Sequence, residues 1–224
     1  MRGAQISSRD IAFQHDGTEH LAINATFSRR LLTRLAMKIL GPLHKSDGLC
    51  TPISKHVIVK TGRRVHLTEA ATMDFIARNT LIPVPKVYCA FVHSGRAYIV
   101  MERIQGQDLP AAREGLSEAA RENVYAQLKG MIEEMRSLKP PADAGVQSCV
   151  GGSLYDSRMK RCSPRFGHFK TTQDFHFWLR EELQPSEFKD RELDDEWRAI
   201  DKMAEMQDGP WPPPVFTHAD LEPF

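Results

Sequence analysis

"KHVIVKTGRRVHLTEAATMDFIARNT" (residues 55–80) changes its period partway along. Its first six residues are a β-branched run ending in Lys60, and the Gly-Arg-Arg that follows is a turn signal, so a short strand is expected over 55–60. From Leu67 to Thr80 the spacing becomes helical. Thr68 is the expected cap, Glu69 suits the positive first turn, and Met73, Ile76 and Ala77 form the expected buried stripe. A lysine leaving an apolar strand does not stay buried and charged without an anion. Glu69, nine residues on, is placed to hold that ammonium facing a cleft, where it meets phosphate oxygens. The alternative is an ordinary surface pair worth ~0–1 kcal/mol.

The next stretch, "IPVPKVYCAFVHSGRAYIVMERI" (82–104), enters extended because of its two prolines. It predicts strands over 86–92 and 97–104, joined by a His-Ser-Gly-Arg turn. The second run passes through Met101, Glu102, Arg103 and Ile104 into Gly106 and Asp108. A strand that leaves its sheet for a linker has backbone groups free to bond the edge of a flat heterocycle such as adenine. An edge strand followed by a turn is the equal alternative.

Beyond Gln107 the pattern turns helical. Residues 116–141 predict a long helix with Val124, Leu128, Met131, Met135 and Leu138 on one face, closed by a double proline. Residues 142–170 are irregular around "VGGSLYDSR". Helices follow at 171–183, with Phe175, Trp178 and Leu179 on one face, and at 190–207, with Leu193, Trp197 and Ile200 inward. The stiff "DGPWPPP" (208–214) then delivers "VFTHADLEPF" (215–224).

At 224 residues, 41% hydrophobic and 26% charged, the composition is that of a globular protein. A net charge of +1 gives no global basic field for nucleic acid or an anionic membrane. No apolar run approaches the ~20 residues of a membrane span. The N-terminus lacks a secretory signal core, and the expected location is cytoplasmic. Cysteines 50, 89, 149 and 162 show no C-x-x-C, and reduced thiols are expected rather than a metal shared by Cys149, Cys162, His168 and His176.

Residues 28–40, "SRRLLTRLAMKIL", predict a helix capped by Ser28 and stopped by Gly41-Pro42. Leu31, Leu32, Leu35 and Ile39 form one stripe, and Arg30, Arg34 and Lys38 another. A basic amphipathic helix of this kind can lie on a membrane surface. The expectation here is instead a helix packed on its own domain with a solvated basic face.

In "HADLEP", an aspartate behind His218 is placed to accept a hydroxyl proton as that hydroxyl attacks a phosphoryl group. Taken in order, V-I-V-K, a helix-borne Glu, I-V-M-E-R-I-x-G, and F-T-H-x-D-L-x-P resemble the aminoglycoside phosphotransferase family, and more specifically the large fungal branch of that kinase-like superfamily, which also includes choline kinases. "CVGGSLYDSR" shares that branch's wording, and the resemblance covers about 55–224.

It implies an α+β, protein-kinase-like bilobal fold with a small antiparallel sheet. Residues 1–54 would be an N-terminal extension, 55–104 the N-lobe, and 105–224 a partial helical C-lobe. ATP would lie between the lobes. Lys60 would contact its α- and β-phosphates and pair with Glu69. Met101 would back the adenine pocket, and the Glu102 carbonyl and Ile104 amide would face the adenine edge. Asp108 would stand near the ribose, Asp220 would be the catalytic base, and His218 would brace the loop. Mg2+ would neutralise phosphate charge, and the acceptor would be a hydroxyl of a small molecule.

The family's H-G-D-x-x-x-x-N loop puts its metal-binding Asn one place past Phe224, with the acidic motif further on. The Mg2+ ligands are thus absent from the chain as read. A shortened form that turns over ATP poorly is expected, with a non-catalytic nucleotide- or partner-binding module as the alternative.

Overall fold

The computed structural model describes residues 15, 17–44, 46–156, 165–182 and 195–218. The chain divides into two compact units. One comprises Met1–Leu138, Tyr155–Phe166 and Thr217–Phe224, and the other Lys139–Leu154 and Gly167–Phe216.

In the first unit, α1 (Phe27–Ile39) precedes β1 (Cys50–Pro52), β2 (Val57–Gly62), α2 (Leu67–Asn79), β3 (Val87–His93) and β4 (Arg96–Glu102). The strands form one antiparallel sheet in the order β1-β2-β4-β3. Ser94 and Gly95, both at positive φ (50° and 66°), form the two-residue turn between β3 and β4. That backbone follows the twist of a tight hairpin. The strand expected at 55–60 lies at Val57–Gly62, while β1 was not foreseen. Only three residues long, β1 is held by its register, with Cys50 opposite Lys60 and Pro52 opposite Ile58.

Alternation along the strands divides the core between the two sheet faces. On one, Ala90, Ala97 and Ile99 meet Val65, Leu67 and Ala70 at the start of α2, with Met73 and Met101 packed around them. On the other, Val59, Cys89, Phe91 and Val100 are joined by Met37 of α1. Among the described residues, Phe91, Leu67, Ile99, Val59 and Val65 are the largest wholly buried side chains. Each contributes about 1.5–3 kcal/mol by leaving water.

Two caps differ from expectation. His66, not Thr68, caps α2: its Nδ1 accepts from the Thr68 amide at 3.2 Å, and Thr68 itself is buried. Thr26, not Ser28, caps α1 through the Arg29 amide at 3.4 Å. The orientation of α1 also corrects the sequence reading. Thr33 is its one buried residue, and Leu31, Leu32, Leu35 and Ile39 face solvent. On α2, Ile76 is buried as expected, but Ala77 is exposed.

The long helix predicted from 116 is α4 (Glu118–Ser137), preceded by a short α3 (Leu109–Arg113). Ser117 accepts from the Ala120 amide at 3.3 Å and starts α4. Val124, Leu128, Met131, Met135 and Leu138 are half-buried, as a single packed face requires. Glu134 accepts from the Leu81 amide at 2.7 Å, tying α4 to the stretch before β3.

The second unit contains α5 (Thr172–Leu179) and α6 (Asp195–Met206). Thr171 and Asp174 exchange side-chain and backbone bonds of 3.0 and 3.1 Å in a capping box. The irregular stretch ahead of α5 is pinned by a bridge between Val146 and Phe169. A Cβ at Gly145 would sit 1.9 Å from the Phe169 carbonyl oxygen, so only glycine fits that crossing. Trp197, expected inward, is exposed; Ala204 is the buried residue of α6, and Leu193 lies outside the described residues.

Arg180, 7% exposed, binds Asp208 at 2.7 Å and the Ala204 carbonyl at 3.1 Å, joining the end of α5 to α6. His176 stacks on Trp211 at 4.3 Å between ring centres. Burial and then the Arg180 charge hold its imidazole below the ordinary 6.5. An unfolded imidazole therefore takes its proton first. The stabilising contribution is complete above pH 6.5 and is lost as pH falls through the lower folded value. His176→Phe, which keeps a ring against Trp211, is expected to flatten the acid side of a plot of unfolding midpoint against pH. An unchanged profile would assign that slope to other groups.

Candidate nucleotide site

β2 and α2 deliver the two groups singled out in the sequence to one place. Lys60 lies between Cys50 of β1 and Ile99 of β4 in register. Since Val59 packs into the opposite face of the sheet, alternation turns Lys60 toward the face that α2 covers. Glu69 stands in the first turn of α2, one turn past the His66 cap. Lys60 Nζ donates to Glu69 Oε2 at 2.5 Å, with 31% and 37% of the two side chains exposed. The pair is formed, yet open enough for a third party to reach the ammonium.

Two further residues sense this pair. Arg165, half-buried and in the same compact unit, interacts electrostatically with Glu69. Burial pushes its guanidinium down to about 10, with Glu69 acting against that fall, so it stays charged at neutral pH. Arg165 thus adds a second positive charge to the field that Glu69 feels, and positive charge suits a polyphosphate. Burial raises the Cys50 thiol above its ordinary value, with Lys60 opposing. Sequence reasoning missed Arg165 because it lies far along the chain in "SRMKRCSPRF". The only signal there was a basic run without acids.

The end of β4 is the second part of the site. Met101 pairs with Ile58 on one side and Val87 on the other, and it packs on the core beneath α2. The Glu102 amide donates to the Lys86 carbonyl at 2.9 Å, and its carboxylate accepts from the Lys86 amide at 3.3 Å. Just past the strand, the Arg103 amide donates to the His56 carbonyl at 2.9 Å, and Gln105 Nε2 to the Lys55 carbonyl at 2.7 Å. The first bond fixes the backbone just before Ile104 and the second ties down the side chain just after it, while the Ile104 amide finds no acceptor among the described residues. A fixed, exposed strand end with an unspent donor is the arrangement an adenine edge requires.

Asp108 caps α3, accepting from the Ala111 amide at 3.1 Å through Oδ1. His218 is exposed, and Asp220 lies outside the described residues. Cys162, considered as a metal ligand, lies outside them as well. Among the described residues no three His, Cys, Asp or Glu side chains converge as metal ligands. No helix among them is long and apolar enough to cross a membrane.

An antiparallel four-stranded sheet whose second strand presents a lysine to a helix-borne glutamate defines an α+β protein of the kinase-like class. Residues 58–224 match the phosphotransferase enzyme family, and the chain belongs to that family. Among curated proteins it is similar to subtelomeric hrmA-associated cluster proteins from two strains of Aspergillus fumigatus. Each is 25% identical over 140 residues, covering 61% of this chain and 22% of the relative. The match therefore spans about a fifth of those relatives' length.

Proposed function

We propose that the chain carries the nucleotide-binding part of an ATP-dependent phosphotransferase that acts on a hydroxyl of a small molecule. The observation that carries this is the 2.5 Å Lys60–Glu69 pair, formed by a strand lysine and a helix glutamate and left half-open. Residues 55–104 are the nucleotide-binding lobe in this reading, and 105–224 belong to the helical lobe. The nucleotide arrives as its Mg2+ complex. Lys60 and Arg165 meet its phosphates, while Glu69 holds Lys60 in place. The Glu102 carbonyl and Ile104 amide bond the adenine edge with Met101 behind, and the second oxygen of Asp108 is left for the ribose. Asp220 takes the acceptor's proton, and His218 braces its loop.

The test is titration of the purified chain with ATP and Mg2+, read by calorimetry and by thermal unfolding. Saturable binding with a raised unfolding midpoint, competed by ADP but not by equivalent inorganic phosphate, supports the reading. No response at millimolar ATP removes it.

A further inference from the structure

The α1 sequence, "FSRRLLTRLAMKI", carries four cations and no acid. An amphipathic helix on a globular domain ordinarily buries its apolar stripe, and α1 does the reverse. Inward it presents Thr33, 7% exposed, and Met37, which packs with Val59, Phe91 and Val100. The Arg30 guanidinium lies 5.7 Å over the Phe91 ring, and its Nε donates to the Ala25 carbonyl at 2.9 Å. Outward it presents Phe27, 82% exposed, with Leu32 at 63% and Ile39 at 64%, and Leu31 and Leu35 also exposed. Turning the helix over would have buried this stripe, so its outward placement needs an occupant.

Charge selects the occupant. At 3.6 residues per turn, Arg34 and Lys38 lie along one edge of the apolar face and Arg29 along the other. Neither Arg34 nor Lys38 makes an ion pair among the described residues. Beside Arg29, a cavity of about 410 Å³ is lined by Asn24, Leu32, Lys86 and Tyr88, adding a further cation. Arg29 Nη1 donates to the Tyr88 carbonyl at 3.0 Å, so its charge is held at this rim. A second copy packed face to face about a two-fold axis would set Arg34 and Lys38 close to their own counterparts, an arrangement that like-charge repulsion opposes. An anionic leaflet accepts the apolar face at the acyl boundary and both cationic edges at headgroup level.

We propose that α1 is an interfacial helix that docks this protein on an anionic phospholipid surface, with Phe27, Leu31, Leu32, Leu35 and Ile39 inserted and Arg34 and Lys38 on the headgroups. It lies in the interface without crossing the bilayer. The assignment is independent of nucleotide binding.

The experiment is co-sedimentation of the purified chain with phosphatidylcholine vesicles, and with vesicles in which about one-third of the lipid is phosphatidylserine. The expected result is binding to the second kind at least about tenfold stronger than to the first, weakening as salt rises. Phe27→Gln with Ile39→Gln leaves the charge unchanged and abolishes sedimentation. Arg34→Ala with Lys38→Ala lowers vesicle affinity about 30-fold and provides a second variant should the first disturb α1, with far-ultraviolet circular dichroism confirming the fold. Absence of binding to the anionic vesicles at low salt would overturn the proposal, as would equal binding to both kinds. Concentration-dependent dimers that Phe27→Gln with Ile39→Gln dissolves would also overturn it and give the face to a second copy.

Discussion

Lys60→Ala is expected to weaken binding of ATP with Mg2+ by about 10²-fold, and to lower any phosphoryl transfer by about 10²–10³-fold. Two effects act in the same direction. The ammonium that meets the phosphates is gone, and the Glu69 carboxylate, 2.5 Å from it in the parent, loses that partner. An unneutralised carboxylate then repels the polyphosphate it had helped to position. Arg165 remains charged within the electrostatic reach of Glu69 and keeps part of the attraction, which is why the expected loss is not total. Arg165→Ala alone is expected to cost about tenfold in ATP affinity, and the double variant more than either single one.

Calorimetric titration of the parent and the three variants reads all of these values. Lys60→Arg is an informative control, since a planar fork does not reproduce a point charge at the end of a flexible stem. Partial rather than full recovery is the expected result. ATP affinity in Lys60→Ala equal to that of the parent would show that the pair serves only to brace β2 against α2. The pair is about one-third exposed, so its contribution to folding stability is small, and the variant is expected to remain folded.

The change from strand to helical spacing between Lys60 and Leu67 located β2, α2 and the Lys60–Glu69 pair, because strand alternation and helix period are local consequences of backbone geometry. The β3–β4 hairpin was readable for the same reason: Ser94 and Gly95 are turn residues between two β-branched runs. What the sequence left open depends on tertiary choice. Amphipathicity shows that α1 has two faces but not which one meets the sheet, and the inward choice of Thr33 and Met37 runs against hydrophobicity. Strand β1 is too short to have a period, so its pairing opposite Lys60 was invisible. Asp108 was read as a ribose acid, and the structure gives one of its oxygens to the α3 cap; the two uses share the same residue type. Arg165 comes within electrostatic influence of Glu69 through chain reversals that no local pattern encodes.

Asp220→Asn is expected to lower phosphoryl transfer by about 10²–10⁴-fold while leaving ATP affinity within about twofold of the parent. The argument separates binding from chemistry. Lys60, Arg165 and the strand end at Glu102–Ile104 hold the nucleotide, and none of them requires a group at position 220. The acceptor hydroxyl is a poor nucleophile while it keeps its proton. A carboxylate within hydrogen-bond reach both orients it and accepts the proton as the phosphoryl bond forms. Asparagine preserves the shape of the side chain but not its basicity, so the loss falls on kcat. The measurement is ADP release by the purified protein with ATP and Mg2+, run beside calorimetric ATP binding on the same preparations. Turnover retained in Asp220→Asn would remove Asp220 as the base. Lost binding with lost turnover would instead assign Asp220 to holding the nucleotide, a different role for the "HADLEP" segment.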